Sequence, residues 1–178
     1  VLPFKNLSND EEQEYFADGI TEDIIANLSL WKTFPVISRN SSFSFKNSTE
    51  KSDVISKALG ARYLVEGSVR KAGNKVRITA QLTSADDDKQ IWSKRWDRSL
   101  EDIFEVQDEV SRDVAALISP ALKDQEQVKL STKGKKNFGA WDEYLQGLNI
   151  YNTENFAGST SGDKVIEHCK RAIELDAN

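Results

Sequence analysis

Methionine is absent from the 178 residues, which include only one cysteine, one histidine and three prolines. One cysteine excludes an internal disulfide framework, and one cysteine with one histidine cannot form the usual zinc site. No apolar run approaches the ~20 residues that span a bilayer, and a signal segment is missing. We therefore expect no metal and no membrane contact here. Because translation starts on methionine and the chain starts at Val1, we interpret it as a fragment.

Charge is abundant and unevenly placed, with 24 basic and 29 acidic side chains and a net charge of −5. Residues 1–23 hold seven acids against one lysine, whereas residues 62–98 hold nine bases against five acids. A basic region of this kind can face an anionic partner. We favour the alternative of a solvated sheet edge that Lys and Arg protect against aggregation.

Hydropathy patterns predict a sheet covered by helices. An apolar stripe from residue 20 to 28 predicts an amphipathic helix, and the Ser- and Asn-rich stretch 40–52 predicts a mobile loop. Strands are predicted at residues 1–4, 36–38, 63–70 and 76–83 and around the tryptophans at 92 and 96. The fold class is therefore α/β (α+β), with a mixed β-sheet of about five strands, helices on one face and a polar second face.

Two turns set the register of the last three strands. A two-residue turn at 73–74 pairs Val69 with Ile78 and keeps all apolar partners on one face. A three-residue turn at 86–88 places Trp96 opposite Ile78 and brings Trp92 to the same core face. A four-residue turn would move both tryptophans to the other face.

The last third of the chain has a different organisation. Residues 123–139 are charged and poor in apolar side chains, which predicts a linker between a domain at 1–122 and a helical hairpin at 140–178. A lone hairpin cannot bury its apolar side, so we expect more chain or another subunit to cover it.

Polar side chains on the open sheet face form the predicted ligand or partner surface. Arg70 and Arg77 become cross-strand neighbours, and like charges directly opposite each other repel. Their pairing indicates a bound anion, a salt bridge to Glu66, or simple exposure of both side chains to water. The predicted surface comprises Arg70, Arg77, Thr79, Gln81 and Arg98. Nucleic acid is not expected, because the chain is acidic and the exposed strand faces lack aromatic residues.

Few side chains suggest chemistry. His168 and Cys169 are neighbours on one helix and do not face each other, so we interpret them as a boundary histidine beside a packed cysteine. Glu14, Asp18 and Glu22 share a helix face, which we interpret as complementing the helix dipole. We assign no catalytic residue, no cofactor and no metal, and expect this fragment not to be an enzyme.

Several motifs resemble a known bacterial family. They are VLPF at 1–4, EYFADGITED at 14–23, YLVEGSVR at 63–70, VRITAQL at 76–82 and DIF at 102–104. Together they resemble the TolB amino-terminal-like domain, related to the flagellar FlgO type, over residues 1 to about 120. The ending AIELD at 172–176 resembles a degenerate first tetratricopeptide repeat, in which Ala177 replaces the usual proline.

The resemblance implies the same mixed sheet and a non-catalytic role in sensing or assembly. Such domains precede tetratricopeptide repeats in bacterial proteins whose amino-terminal part is often a class III adenylate or guanylate cyclase or a winged-helix regulator. We therefore expect a regulatory, protein-interaction module of a multidomain signalling protein. One alternative is a binding domain for an anionic ligand or nucleotide. Another is a fragment of a cyclase whose catalytic domain lies elsewhere.

Partners and compartment follow from the same expectation. Protein partners would bind through the helical repeat or a free sheet edge, and homodimerisation through either is an alternative. We expect a bacterial protein in the cytoplasm, with the periplasm as the alternative.

Overall fold

The chain folds into two compact units, Val1–Leu130 and Ser131–Asn178. The computed structural model describes residues 1–8, 10, 13–31, 33–85, 88–118, 137–153 and 159–176. Most of the predicted linker at 123–139 lies outside the described residues. No helix in the described part of the chain is both long and apolar enough to cross a bilayer.

The first unit is built on a mixed, four-stranded sheet in the order β1-β2-β3-β4, which confirms the predicted α+β class. Strand β1 runs parallel to β2, and the other neighbours are antiparallel. The strands are β1 (Lys5–Asn6), β2 (Tyr63–Ala72), β3 (Lys75–Ser84) and β4 (Lys89–Ser99). The helices are α1 (Glu14–Ser29), α2 (Arg39–Phe43), α3 (Ser52–Leu59), a 3-10 helix (Leu100–Asp102) and α4 (Ile103–Ile118).

Two local predictions before residue 60 are wrong. The strand expected at 36–38 is not part of the sheet, because Ser38 instead caps α2 and accepts a hydrogen bond from the Ser41 backbone N–H. The mobile loop expected at 40–52 contains α2 and a series of hydrogen-bonded turns. The strand expected at 1–4 is displaced to Lys5–Asn6, although the Leu2 N–H still donates to a β2 carbonyl over 2.8 Å.

The predicted strand registers are confirmed. Val69 pairs with Ile78, and Ile78 pairs with Trp96. The second turn is longer than expected, because Ser84 pairs with Lys89 and four residues separate them. A register shift in β4 restores the predicted pairing by leaving Ile91 as an extra residue. Both tryptophans therefore keep the core face, and their ring centroids are 6.0 Å apart.

The core of the first unit lies between the sheet and the helices α1 and α4, as expected for helices on one face. Its largest fully buried side chains include Trp96, Phe4 and Ile20. Phe4 packs directly over Gly67, where an added Cβ would lie 2.4 Å from the ring. A smaller cluster of Leu2, Ile55 and Leu64 covers the start of β2.

The second unit is a pair of packed helices, α5 (Phe138–Thr153) and α6 (Ser159–Leu175). They approach closely at Gly147, where a Cβ would lie 3.2 Å from the Cβ of His168. Several large apolar side chains of this unit remain exposed in the described chain, namely Tyr144, Tyr151, Ile166, Ile173 and Leu175.

Candidate functional site

The two arginines singled out in the sequence face each other across β2 and β3. Arg70 and Arg77 are directly paired, and both are exposed. The Arg70 Nε donates to the carbonyl of Leu7 over 3.1 Å, and the Arg77 Nε donates to the carboxylate of Asp97 on β4. The cross-strand repulsion is therefore moderated by a carboxylate that the predicted surface did not include.

Asp97 is surrounded by arginines. Besides the bond from Arg77, its carboxylate lies 3.4 Å from the Nε of Arg95, and Arg98 adds a further positive charge nearby. The hydrogen bond from Arg77 is the main cause that lowers the pKa of Asp97 below its ordinary value. The Asp97 carboxylate thus forms ion pairs with two guanidinium groups, those of Arg77 and Arg95.

Arg98 lies on the other side of the sheet from Arg77. It pairs with the buried Val76, so it projects from the face that α4 covers. Its Nη2 lies 3.9 Å from the Glu109 carboxylate of α4, which also accepts a 2.7 Å hydrogen bond from the Trp96 indole. That indole bond is the main cause of a lowered pKa at Glu109.

A cleft nevertheless joins the three arginines at the end of the β2–β3 hairpin. We call it the hairpin-end cleft; it has a volume of about 670 Å³, and its charged lining is Arg70, Lys75, Arg77, Asp97, Arg98 and Asp102. The Leu100 N–H donates to the Asn74 carbonyl over 3.1 Å and fixes the hairpin turn against the start of the 3-10 helix. At this end of the sheet, side chains from both sheet faces line one concave surface.

The remaining two predicted residues are not part of that cleft. Thr79 and Gln81 continue along β3 on the polar sheet face and are half-buried. The Gln81 amide donates to the Glu66 carboxylate over 3.2 Å. The structure therefore divides the predicted surface into an arginine cleft and a separate polar strip.

The predicted surface did not include Asp97 and Asp102. A signal for Asp97 was present, because the predicted pairing of Ile78 with Trp96 places its neighbour Asp97 opposite Arg77. Asp102 accepts a hydrogen bond from Ser99, and this capping interaction brings it to the rim of the cleft.

The acidic residues of α1 form ion pairs in addition to the predicted dipole interaction, for which Glu14 lies in the first turn of the helix. Lys46 lies 2.6 Å from Asp18 and 3.2 Å from Glu14, and Arg39 lies 2.9 Å from Glu22. These acids therefore hold the segment after α1 in place as ion-pair partners. Burial is the main cause that raises the pKa of Asp18.

In the second unit, His168 and Cys169 do not act together. The His168 Nδ1 lies 2.7 Å from the Glu143 carboxylate of α5, so this side chain links the two helices. Cys169 is a free thiol and is exposed, so its interpretation as a packed cysteine is wrong. Among the described residues, no group of three or more His, Cys, Asp or Glu side chains is arranged to hold a metal ion.

Comparison with known proteins gives one informative relative. Over 176 residues, 99% of the chain, the sequence is 42% identical to putative adenylate cyclase 3 from Rhizobium meliloti strain 1021. The chain is homologous to part of a putative adenylate cyclase. It spans 30% of that relative's length. No protein-family model matches the chain, so its resemblances to a TolB amino-terminal-like domain and a tetratricopeptide repeat stay predictions.

Two solved structures are distantly similar. A lipoprotein from Neisseria meningitidis matches with a TM-score of 0.44 and 16% identity, covering 64% of this chain and 94% of that one. The carboxy-terminal domain of LpoB from Salmonella enterica matches with a TM-score of 0.32 and 16% identity, covering 54% and 77%. Neither similarity indicates a function at these scores.

Proposed function

We propose that this chain is a non-catalytic regulatory and interaction region of a bacterial protein related to adenylate cyclases. The observation that carries the proposal is the 42% identity over nearly the whole chain to 30% of a putative adenylate cyclase. A homologous region that occupies so small a share of the relative leaves most of that relative's length for the chemistry of cyclisation.

The surfaces of the two units support a role in interaction. In the described sheet, β4 is the terminal strand and is hydrogen-bonded on one side, so its other edge is open to a partner strand. In the helix pair, exposed apolar residues such as Ile166 and Ile173 favour packing against further protein. Protein partners, including a second copy of the chain, belong to this proposal, as does a cytoplasmic location.

The resemblance to a TolB amino-terminal-like domain followed by a helical repeat belongs to the same proposal. A sheet domain followed by a pair of helices is the organisation that this resemblance implies. In this interpretation the sheet domain supplies regulation and the helix pair starts a surface for assembly.

A cyclase assay on separate proteins tests the proposal. The 178-residue chain and the full-length Rhizobium meliloti protein are each incubated with ATP and a divalent cation, and cyclic AMP is measured. We expect product from the relative and none from the chain. Cyclic AMP formation by the purified chain, abolished by a point substitution within it, would refute a non-catalytic role.

A second experiment tests whether the chain regulates the full-length relative. Adding the isolated chain in excess to the full-length relative should change its rate of cyclic AMP formation, because the chain competes for the contacts of the homologous region. An unchanged rate, together with no co-elution of the two proteins in size-exclusion chromatography, would contradict an interaction role.

A further inference from the structure

The hairpin-end cleft holds more positive than negative charge. Its cations are Arg70, Lys75, Arg77 and Arg98, and its acids are Asp97 and Asp102. The lining thus carries a net charge of about +2 at neutral pH, in a chain whose net charge is −5. Such a local excess in an acidic protein is a feature of sites that attract anions.

The carboxylates in and beside the cleft do not neutralise all of its cations, although Glu109 of α4 lies 3.9 Å from Arg98. Asp97 already serves Arg77 and Arg95, and Asp102 accepts a hydrogen bond from Ser99. Arg70 stands directly opposite Arg77, and its Nε donates to the neutral carbonyl of Leu7. Like charges in direct cross-strand register destabilise a sheet unless a counter-charge lies between them. Asp97 supplies part of that counter-charge through Arg77, and an anion in the cleft would add to it beside Arg70.

The shape and the donors of the cleft define the class of anion. A volume of about 670 Å³ suits a small molecule rather than a folded partner. Guanidinium groups bind phosphate oxygens through two parallel hydrogen bonds, which favours phosphate among anions. The arginines come from both faces of the sheet, with Arg70 and Arg77 on one side and Arg98 on the other. Two separated groups of donors fit two linked phosphates.

We propose that the hairpin-end cleft binds a small molecule that carries two or more linked phosphate groups. Arg77 and Arg98 hold the phosphates from opposite sides, and Arg70 adds charge beside Arg77. Binding relieves the repulsion between the paired arginines, so it also stabilises the end of the sheet. This inference does not depend on the proposed function, since it uses only the charges and the shape of the cleft.

Isothermal titration calorimetry with inorganic pyrophosphate tests the proposal on the 178-residue chain at about 0.15 M ionic strength. We expect saturable binding of one pyrophosphate per chain. Arg77→Gln and Arg98→Gln should each weaken binding roughly tenfold, the usual effect of losing one charge-assisted hydrogen bond. Arg77→Lys keeps the charge but loses the planar guanidinium group that forms two parallel hydrogen bonds. Its affinity for pyrophosphate should therefore lie between those of the wild type and Arg77→Gln.

A matched control removes one positive charge elsewhere. Lys57 is 80% exposed on α3 and does not line the cleft, so Lys57→Gln should leave the affinity for pyrophosphate unchanged. The proposal is overturned if no saturable binding occurs, or if Lys57→Gln weakens binding as much as Arg77→Gln. It is also overturned if citrate binds as tightly as pyrophosphate, since the cleft would then select charge and not phosphate. Urea unfolding of each variant verifies that it is folded.

Discussion

The side-chain amide of Gln107 is buried in the first unit without hydrogen-bond partners among the described residues. Its side chain on α4 is 1% exposed, and neither amide atom has a hydrogen-bond partner in the described part of the chain. A buried amide without partners costs about 1–3 kcal/mol. Methionine has a similar length, a high helix propensity and no obligatory hydrogen bond. Gln107→Met should therefore raise the free energy of unfolding by about 1–3 kcal/mol.

Urea unfolding followed by tryptophan fluorescence measures this change, because Trp96 is buried against α4 and reports on the same core. Gln81→Met is the matched control, since it makes the same replacement where the amide is hydrogen-bonded and half-buried. The control should not gain stability. If Gln107→Met lowers the free energy of unfolding by ~1 kcal/mol or more, the amide is bonded in the folded protein and the reasoning is refuted.

Three further predictions concern close contacts and one ion pair. Gly67→Ala should lower the free energy of unfolding by about 1–3 kcal/mol, because its Cβ would overlap the Phe4 ring; an unchanged melting temperature would contradict this. Asp18→Asn should become more stable relative to the wild type as the pH rises from about 4. The pKa of Asp18 is raised in the folded protein, so the wild type loses stability as this carboxyl ionises. Urea unfolding at several pH values measures the difference in free energy of unfolding, and a difference that does not change with pH would contradict the prediction. Gly147→Val should reduce the helical circular dichroism signal of the helix pair, because its side chain would meet His168; an unaltered spectrum and melting curve would count against close packing at this position.

The local hydropathy pattern is sufficient to predict the registers of the sheet. The alternation of apolar and polar residues on β2 and β3 leaves one register in which Val69 and Ile78 share the core face, and a two-residue turn provides it. The turn between β3 and β4 is one residue longer than predicted, yet both tryptophans lie on the predicted face. The reason is that burying the Trp96 indole and half-burying that of Trp92 outweighs the local cost of a bulge at Ile91.

Polar segments were harder to predict because their order depends on distant charges. Residues 40–52 have the composition of a loop, but Lys46, and Arg39 just before the segment, bind carboxylates of α1 that lie 17 to 32 residues earlier in the chain. The hydropathy pattern within the segment does not indicate these ion-pair partners. The short run at 36–38 was misassigned for a related reason, since its last residue caps a helix and does not extend a strand.

For the candidate site, the sequence by itself determined that Arg70 and Arg77 face each other, because hairpin register is a local property. The sequence also predicted that Arg98 belongs to this surface, but only the tertiary structure decided from which side of the sheet it reaches the cleft. Its side chain projects from the opposite face of the sheet, and the cleft lies where the hairpin turn is hydrogen-bonded to the start of the 3-10 helix. That contact joins residues 26 positions apart, Asn74 and Leu100, and continues the pairing of β3 with β4 beyond Lys75 and Ser99.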